Sequence, residues 1–246
     1  MDSAAVESKW EAEAENWVRW ARTPNHDAYW VYGPSFFDEI VPPPGRQTLE
    51  VGCGEGRVAR DLKARGHRVV GVDSSPTLLR YAKNADSDGR YELADAAALP
   101  FADGSFDLVV AYNVLIDVSD MPAAVREAAR VLEPGGHFCI CVTHPLNDAG
   151  SFDSDQPDAA FTIRGSYFGR RPFEGRFERA GLQMTFHGWM YPLEDYCRAL
   201  AEAGFVIAKL REPTPSDQAV NREGSFERRR RIPLFLQIRA MKREET

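Results

Sequence analysis

Between Gln47 and Thr143 short apolar runs alternate with amphipathic stretches, and few folds accept that pattern. "TLEVG", "RVVGVD", "RYEL", "FDLVVAY" and "HFCICVTH" are rich in Val, Ile and Leu and have the length of buried strands. "GRVARDLKARG" and "MPAAVREAARVLEPGG" place apolar residues at helical spacing and are closed by Gly or Pro. Strands alternating with helices imply parallel pairing with both sheet faces covered. The predicted fold is α/β, a doubly wound and mostly parallel sheet. With 246 residues, 43% of them apolar, the chain is long enough to bury one domain's core.

The flanks are less regular. Residues 5–21 put Trp10, Trp17 and Ala21 at helical spacing, and a second helix is predicted through "DAYWVYGPSFFDEI" before the stiff "VPPPG" linker. Residues 146–188 are rich in Gly, Arg and aromatics and show no clear periodicity. A helix, "PLEDYCRALAEAG", and a strand, "FVIAKLREP", come next. A loosely structured 213–231 then leads to a last strand, "IPLFLQIRAMK". The run "ERRRR" at 227–231 reads as a solvated approach to that strand.

Composition narrows the function. A formal net charge of -7 argues against a general polyanion binder, and so against nucleic acid. The four cysteines include no C-x-x-C pair, and no His/Asp/Glu cluster has metal-ligand spacing, so reduced thiols and no metal are expected. The acidic start "MDSAAVESKWEAEAENW" lacks an apolar signal region, and no apolar run has membrane-spanning length. A cytoplasmic protein without membrane attachment is expected.

The most informative stretch is "LEVGCGEGRVAR", where Glu50 precedes Gly52, Gly54 and Gly56. Glycines so placed let backbone take positive φ or approach a ligand closely. A dinucleotide loop requires a small residue where Arg57 stands, and a P-loop requires Lys-Ser/Thr after its last glycine; neither pattern is met. What stands here is acidic-x-Gly-x-Gly-x-Gly.

That loop, followed in order by "GVDSSP", "ADAAALPFADGSFDLVVAYNVL" and "RVLEPGGHF", resembles the class I S-adenosylmethionine-dependent methyltransferases. The resemblance is strong over about residues 45–145 and weaker to the C-terminus. It implies a Rossmann-like sheet of seven strands, the last antiparallel and inserted beside the fifth. It implies S-adenosyl-L-methionine as cofactor and S-adenosyl-L-homocysteine as product. Glu50, Gly52, Cys53, Gly54 and Arg57 would serve the loop and the methionine end. Asp73 and Ser74 would serve the ribose, Leu78 the adenine face, and Asp95 with Ala96 the adenine edge; Asn113 and Trp17 complete the expected cofactor set. One domain, 1–246, is expected to comprise a helical lid (1–44), a cofactor-binding core (45–145), an acceptor-site insertion (146–188) and a C-terminal helix and strand pair (189–246).

Physical reasoning runs alongside the resemblance. Ligands of open parallel sheets lie beyond the carboxyl ends of the strands, where Gly52, Asp73, Asp95, Asn113 and His144 fall. Simpler readings exist for each residue: Asp73 as a helix cap through Ser74 or Ser75, and Asp95 as a turn residue. Methyl transfer is an in-line displacement, so the protein must align the acceptor and, for an OH or NH, accept a proton. His144 and His187 are the candidates, while His67 and His137 look like turn or strand-start residues and His26 lies in the N-terminal segment. The resemblance implies an acceptor pocket of Trp30 and Tyr32 on one side and Tyr167, Trp189 and Tyr191 on the other. Against this, His144 has a second reading as a strand-end cap, the aromatics as core, and the N-terminal helix as plain packing. The expected activity is methyl transfer to an O, N or C nucleophile of a small organic acceptor by a monomer or homodimer. The alternatives are a tRNA or rRNA methyltransferase and a cofactor-binding protein without transfer.

Overall fold

The computed structural model describes residues 3–244. The chain opens with α1 (Ser3–Arg22) and α2 (Tyr29–Ser35), which a π-turn at Phe36–Ile40 extends. Alternating elements follow: β1 (Thr48–Val51), α3 (Arg57–Ala64), β2 (Val69–Asp73), α4 (Pro76–Ala85), β3 (Arg90–Leu93), β4 (Phe106–Tyr112), α5 (Met121–Val131) and β5 (Leu132–Thr143). A short turn of helix, α6 (Pro145–Asp148), leads into two hairpins, β6 (Gly150–Phe152) with β7 (Phe161–Ile163) and β8 (Arg171–Arg179) with β9 (Leu182–Met190). The chain closes with α7 (Leu193–Glu202), β10 (Phe205–Arg211), α8 (Asp217–Arg222), a 3-10 turn at Gly224–Arg230, and β11 (Phe235–Lys242).

Seven strands form the main sheet in the order β10-β11-β5-β4-β1-β2-β3. β1 pairs in parallel with β2 and β4, and β11 lies antiparallel between β5 and β10. This is the expected doubly wound sheet with its reversed last strand. Alternation along β4 explains the layers. Val109 and Ala111 face the α5 and α7 side with Val125 and Leu200, while Leu108 and Val110 face Leu62 and Phe36 on the other.

Local chemistry sets the helix starts. Ser75 caps α4, its Oγ accepting from Leu78 N at 3.1 Å ahead of Pro76. Asp120 caps α5 in the same way, its Oδ1 accepting from Ala123 N at 2.9 Å. α3 instead begins after Gly56 at φ 86°, a left-handed turn that suits glycine.

Two stretches depart from expectation. Residues 146–188 are mostly paired strand rather than irregular, and β9 runs on to Met190. Residues 213–231 hold a helix and a 3-10 turn. The β8–β9 hairpin lies outside the main sheet, so Glu174, Arg176 and Glu178 point to solvent between Phe173, Gly175 and Phe177, and no apolar run marks the strand.

α1 crosses the ligand edge and packs on β9 and α4. Phe186 of β9 takes edge contacts from Trp10, Trp17 and Trp20 at centroid distances of 6.3, 6.2 and 5.8 Å. A buried ion-pair network fixes the helix end to the glycine loop: Glu55 accepts from Arg22 Nε at 2.7 Å and Arg60 Nη2 at 2.9 Å. Removing the buried carboxylate strands two partly exposed arginines that can turn to solvent. Glu55→Ala is therefore expected to cost about 1–3 kcal/mol. Urea unfolding measures it, and a loss below about 0.5 kcal/mol would refute the anchoring role.

Candidate functional site

A cleft of about 860 Å³ opens along the carboxyl ends of β1 to β5, within the size range of small-molecule sites. One half lies over β1, β2 and β3. There Gly52 and Gly54 hold φ at 67° and 54°, and a Cβ on Gly52 would stand 2.2 Å from Val114 Cγ2. Asp73, ending β2, accepts from Gly54 N at 2.7 Å through Oδ2 and from Ser75 N at 2.9 Å through Oδ1. Ser75, not Asp73, therefore caps the helix, and the carboxylate keeps lone pairs facing the cleft. Leu78, Asp95 and Ala96 line the far end, with Asp95 Oδ1 held by Ala97 N at 2.8 Å.

This half is crowded with acid. Glu50 is buried, one oxygen lacks any partner, and burial followed by repulsion from Asp73 and Glu55 drives its pKa well up. Burial also raises Asp73, and burial with repulsion from Asp73 raises Asp117. A pyrophosphate would be repelled here, whereas a ligand with a sulfonium and an ammonium would relieve the clustered negative charge. The residues thus fit S-adenosylmethionine: two ribose hydroxyls to donate to Asp73, and two cations for the acids around Glu50.

The other half lies over β4, β5 and β11. Its wall is the β8–β9 hairpin, drawn in where Trp189 N donates to Ile116 O at 2.7 Å. Gly188 permits that approach, since a Cβ there would lie 2.5 Å from the Ile116 carbonyl oxygen. Tyr112, Phe173, Phe177 and Phe235 add apolar surface.

All of the expected cofactor residues border this one cleft: Glu50, Gly52, Cys53, Gly54, Arg57, Asp73, Ser74, Leu78, Asp95, Ala96, Asn113 and Trp17. Arg57 pairs with Asp27 at 2.7 Å and lies over the Tyr29 ring at 4.0 Å, which ties the start of α3 to the N-terminal segment. The expected acceptor set needs correction. Trp189 lines the cleft, but Trp30, Tyr32, Tyr167 and Tyr191 do not. Trp30 is exposed. Tyr32 is core, against Phe235 at 5.3 Å, and Tyr167 uses its hydroxyl to accept from Leu193 N. Tyr191 packs on Tyr196 beneath Arg170.

His144 is also corrected. Its Nδ1 accepts from Leu146 N at 3.0 Å, capping α6, and its Nε2 lies 2.8 Å from Glu212 Oε1. Both nitrogens are engaged away from the cleft. His187 does border it, with Nδ1 3.2 Å from Glu174 Oε2 and its carbonyl accepting from Trp10 Nε1. Residues not anticipated from sequence are His26, Asp117, Phe186, Arg228 and Arg229. His26 is buried edge-on to Trp20 at 4.3 Å with an unpartnered Nε2, and burial lowers its pKa. The basic run is solvated only in part: Arg230 and Arg231 are exposed, but Arg228 pairs with Asp155 and Arg229 with Asn147 beside the cleft.

With this geometry in place, the comparisons with known proteins are direct. Residues 49–140 match the family described as "Methyltransferase domain". A solved S-adenosylmethionine-dependent methyltransferase from Mesorhizobium loti superposes with TM-score 0.70 at 26% identity, covering 88% of this chain and 98% of that one. Residues 49–140 thus resemble the methyltransferase domain family, and the fold as a whole is similar to that of a solved S-adenosylmethionine-dependent methyltransferase. Among curated relatives, a malonyl-[acyl-carrier protein] O-methyltransferase of Serratia marcescens is 38% identical over 93 residues, 38% of this chain and 36% of the relative. A demethylmenaquinone methyltransferase of Tropheryma whipplei is 36% identical over 112 residues, 44% of this chain and 46% of the relative. The chain spans less than half the length of these curated relatives. Among its described residues, no helix is long and apolar enough to cross a membrane.

Loss of the Asp73 carboxylate leaves the Gly54 and Ser75 N–H groups unpaired and removes the expected acceptor for the ribose hydroxyls. Asp73→Ala is expected to weaken S-adenosylhomocysteine by about 1–3 kcal/mol, roughly 10–100-fold. Calorimetry on a variant with normal melting checks this, and unchanged affinity would sink the ribose assignment.

Proposed function

We propose that the protein transfers the methyl group of S-adenosylmethionine to an O, N or C nucleophile of a small organic acceptor. The observation that carries this reading is the division of one cleft into an acidic half, built on the glycine loop and Asp73, and an aromatic half walled by the β8–β9 hairpin. Bound S-adenosylmethionine supplies an electrophilic methyl on a cationic sulfur. The protein's part is alignment and exclusion of water. Asp73 and Leu78 fix the nucleoside, while Glu50 and Asp117 offer negative charge near the methionine end. Phe173, Phe177 and Trp189 hold the acceptor's apolar body toward β4. His187 is the proposed proton acceptor for an OH or NH acceptor, its Nδ1 lying 3.2 Å from Glu174 Oε2.

Detection of S-adenosylhomocysteine with a library of small phenols, amines, acids and enolisable ketones tests the reading. Acceptor-dependent product is expected, and His187→Gln should lower that rate by about 10²–10⁴ with cofactor affinity nearly intact. Cofactor binding without any product across the library would instead favour a binding protein without transfer.

The same reading makes α1 a lid. Its tryptophans meet β9 over the cleft, and Glu11 accepts from Thr77 Oγ1 at 2.5 Å and from Ser75 beside Asp73. Opening α1 would expose Trp10, Trp17 and the cofactor half together. Hydrogen exchange in α1 is expected to slow at least tenfold when S-adenosylhomocysteine binds. Full protection without ligand would leave α1 only a packing role.

A further inference from the structure

The four arginines that border the cleft differ in how their charge is met. Arg57 pairs with Asp27 at 2.7 Å, Arg179 with Glu223, and Arg228 with Asp155. Arg229 has no carboxylate within ion-pair distance among the described residues. Its Nη1 donates to the neutral Asn147 Oδ1 at 2.5 Å, and its guanidinium lies 5.2 Å from the Phe152 centroid. The group is half-buried, and burial followed by the nearby Arg228 works against its charge. A guanidinium nevertheless stays charged in proteins.

The closest acids do not answer it. Asp155 is taken by Arg228, and Asp148 accepts from Thr143 Oγ1 at 2.8 Å and Asn147 Nδ2 at 3.1 Å, with burial raising its pKa. Arg229 stands beside the edge where β5 ends and β11 begins, remote in the sheet from Asp73 at the end of β2, and Leu234, Phe235 and Phe161 line the same cleft. A planar donor fork with one neutral partner and apolar walls suits a single planar anion. A phosphate dianion would call on more free cations than the paired arginines offer, and would meet Asp148 and Asp155.

Resting on the methyltransferase reading above, we propose that the acceptor carries a carboxylate that Arg229 and Asn147 anchor, with its apolar body against Phe152 and Phe235. The anchor fixes the molecule at the end of the cleft remote from Asp73 and leaves its middle free to face the methyl group. Acceptors lacking the carboxylate then leave Arg229 buried and unanswered, which is a strong basis for discrimination.

The test uses the full chain saturated with S-adenosylhomocysteine. Benzoate, phenylacetate, cinnamate and octanoate are titrated beside their primary carboxamides by ligand-observed NMR. At least one acid is expected to bind tenfold or more tightly than its amide. Arg229→Gln should abolish that preference, Arg229→Lys should retain part of it, and both should bind S-adenosylhomocysteine as the wild type does. Normal cofactor binding with no acid preference in any pair, or a preference that survives Arg229→Gln, overturns the inference alone. Failure of the wild type to bind S-adenosylhomocysteine overturns both this inference and the reading beneath it.

Discussion

At the end of β2 one carboxylate joins two loops. Asp73 takes the Gly54 N–H with one oxygen and the Ser75 N–H with the other, so the glycine turn after β1 and the start of α4 are held at a fixed separation. The charge is costly: burial raises the Asp73 pKa, and Glu50 and Asp117 are pushed up in turn by burial and by Asp73 itself. A group kept acidic in such surroundings is maintained against folding stability, a pattern common at functional sites. The Gly54 N–H it holds belongs to the turn in which Gly52 and Gly54 take positive φ, at the floor of the cleft.

Charge and shape are separated along the cleft. The acidic half suits a cationic nucleoside derivative, and the aromatic half ends at Arg229 and Asn147. The hairpin and α1 close the space from opposite sides and meet at Phe186, which also takes an edge contact from Phe177 at 5.5 Å. Each such contact contributes about 0.5–1.5 kcal/mol beyond burial. The enclosure thus rests on a small set of aromatic edge contacts around Phe186.

The core and the cofactor half were legible in the sequence because both are local. Parallel strands buried on two faces read as continuous apolar runs; the glycine loop and Asp95 follow their strands by a residue or two, and Asp73 ends its own. The acceptor half is assembled from distant segments, and its residues carry no periodic mark. Trp30 and Tyr32 share a helix with Tyr29, yet only Tyr29 reaches the cleft, because the helix direction is set by packing on Phe235. His144 occupies a strand end as expected, but the Pro145 turn makes its imidazole a cap. Arg229 was hidden in a charge run whose members find separate partners distant in sequence, Arg228 and Arg231 in the β6–β7 connection at Asp155 and Ala159, and Arg229 in α6 at Asn147.

A crystal structure of the full chain with S-adenosylhomocysteine tests the central assignment most directly. Ribose hydroxyls within hydrogen-bond reach of Asp73, adenine between Leu78 and Asp95, and the sulfur pointing toward β4 and Trp189 are the expected result. A ligand bound elsewhere, or one lying in the aromatic half with Asp73 unengaged, would contradict it.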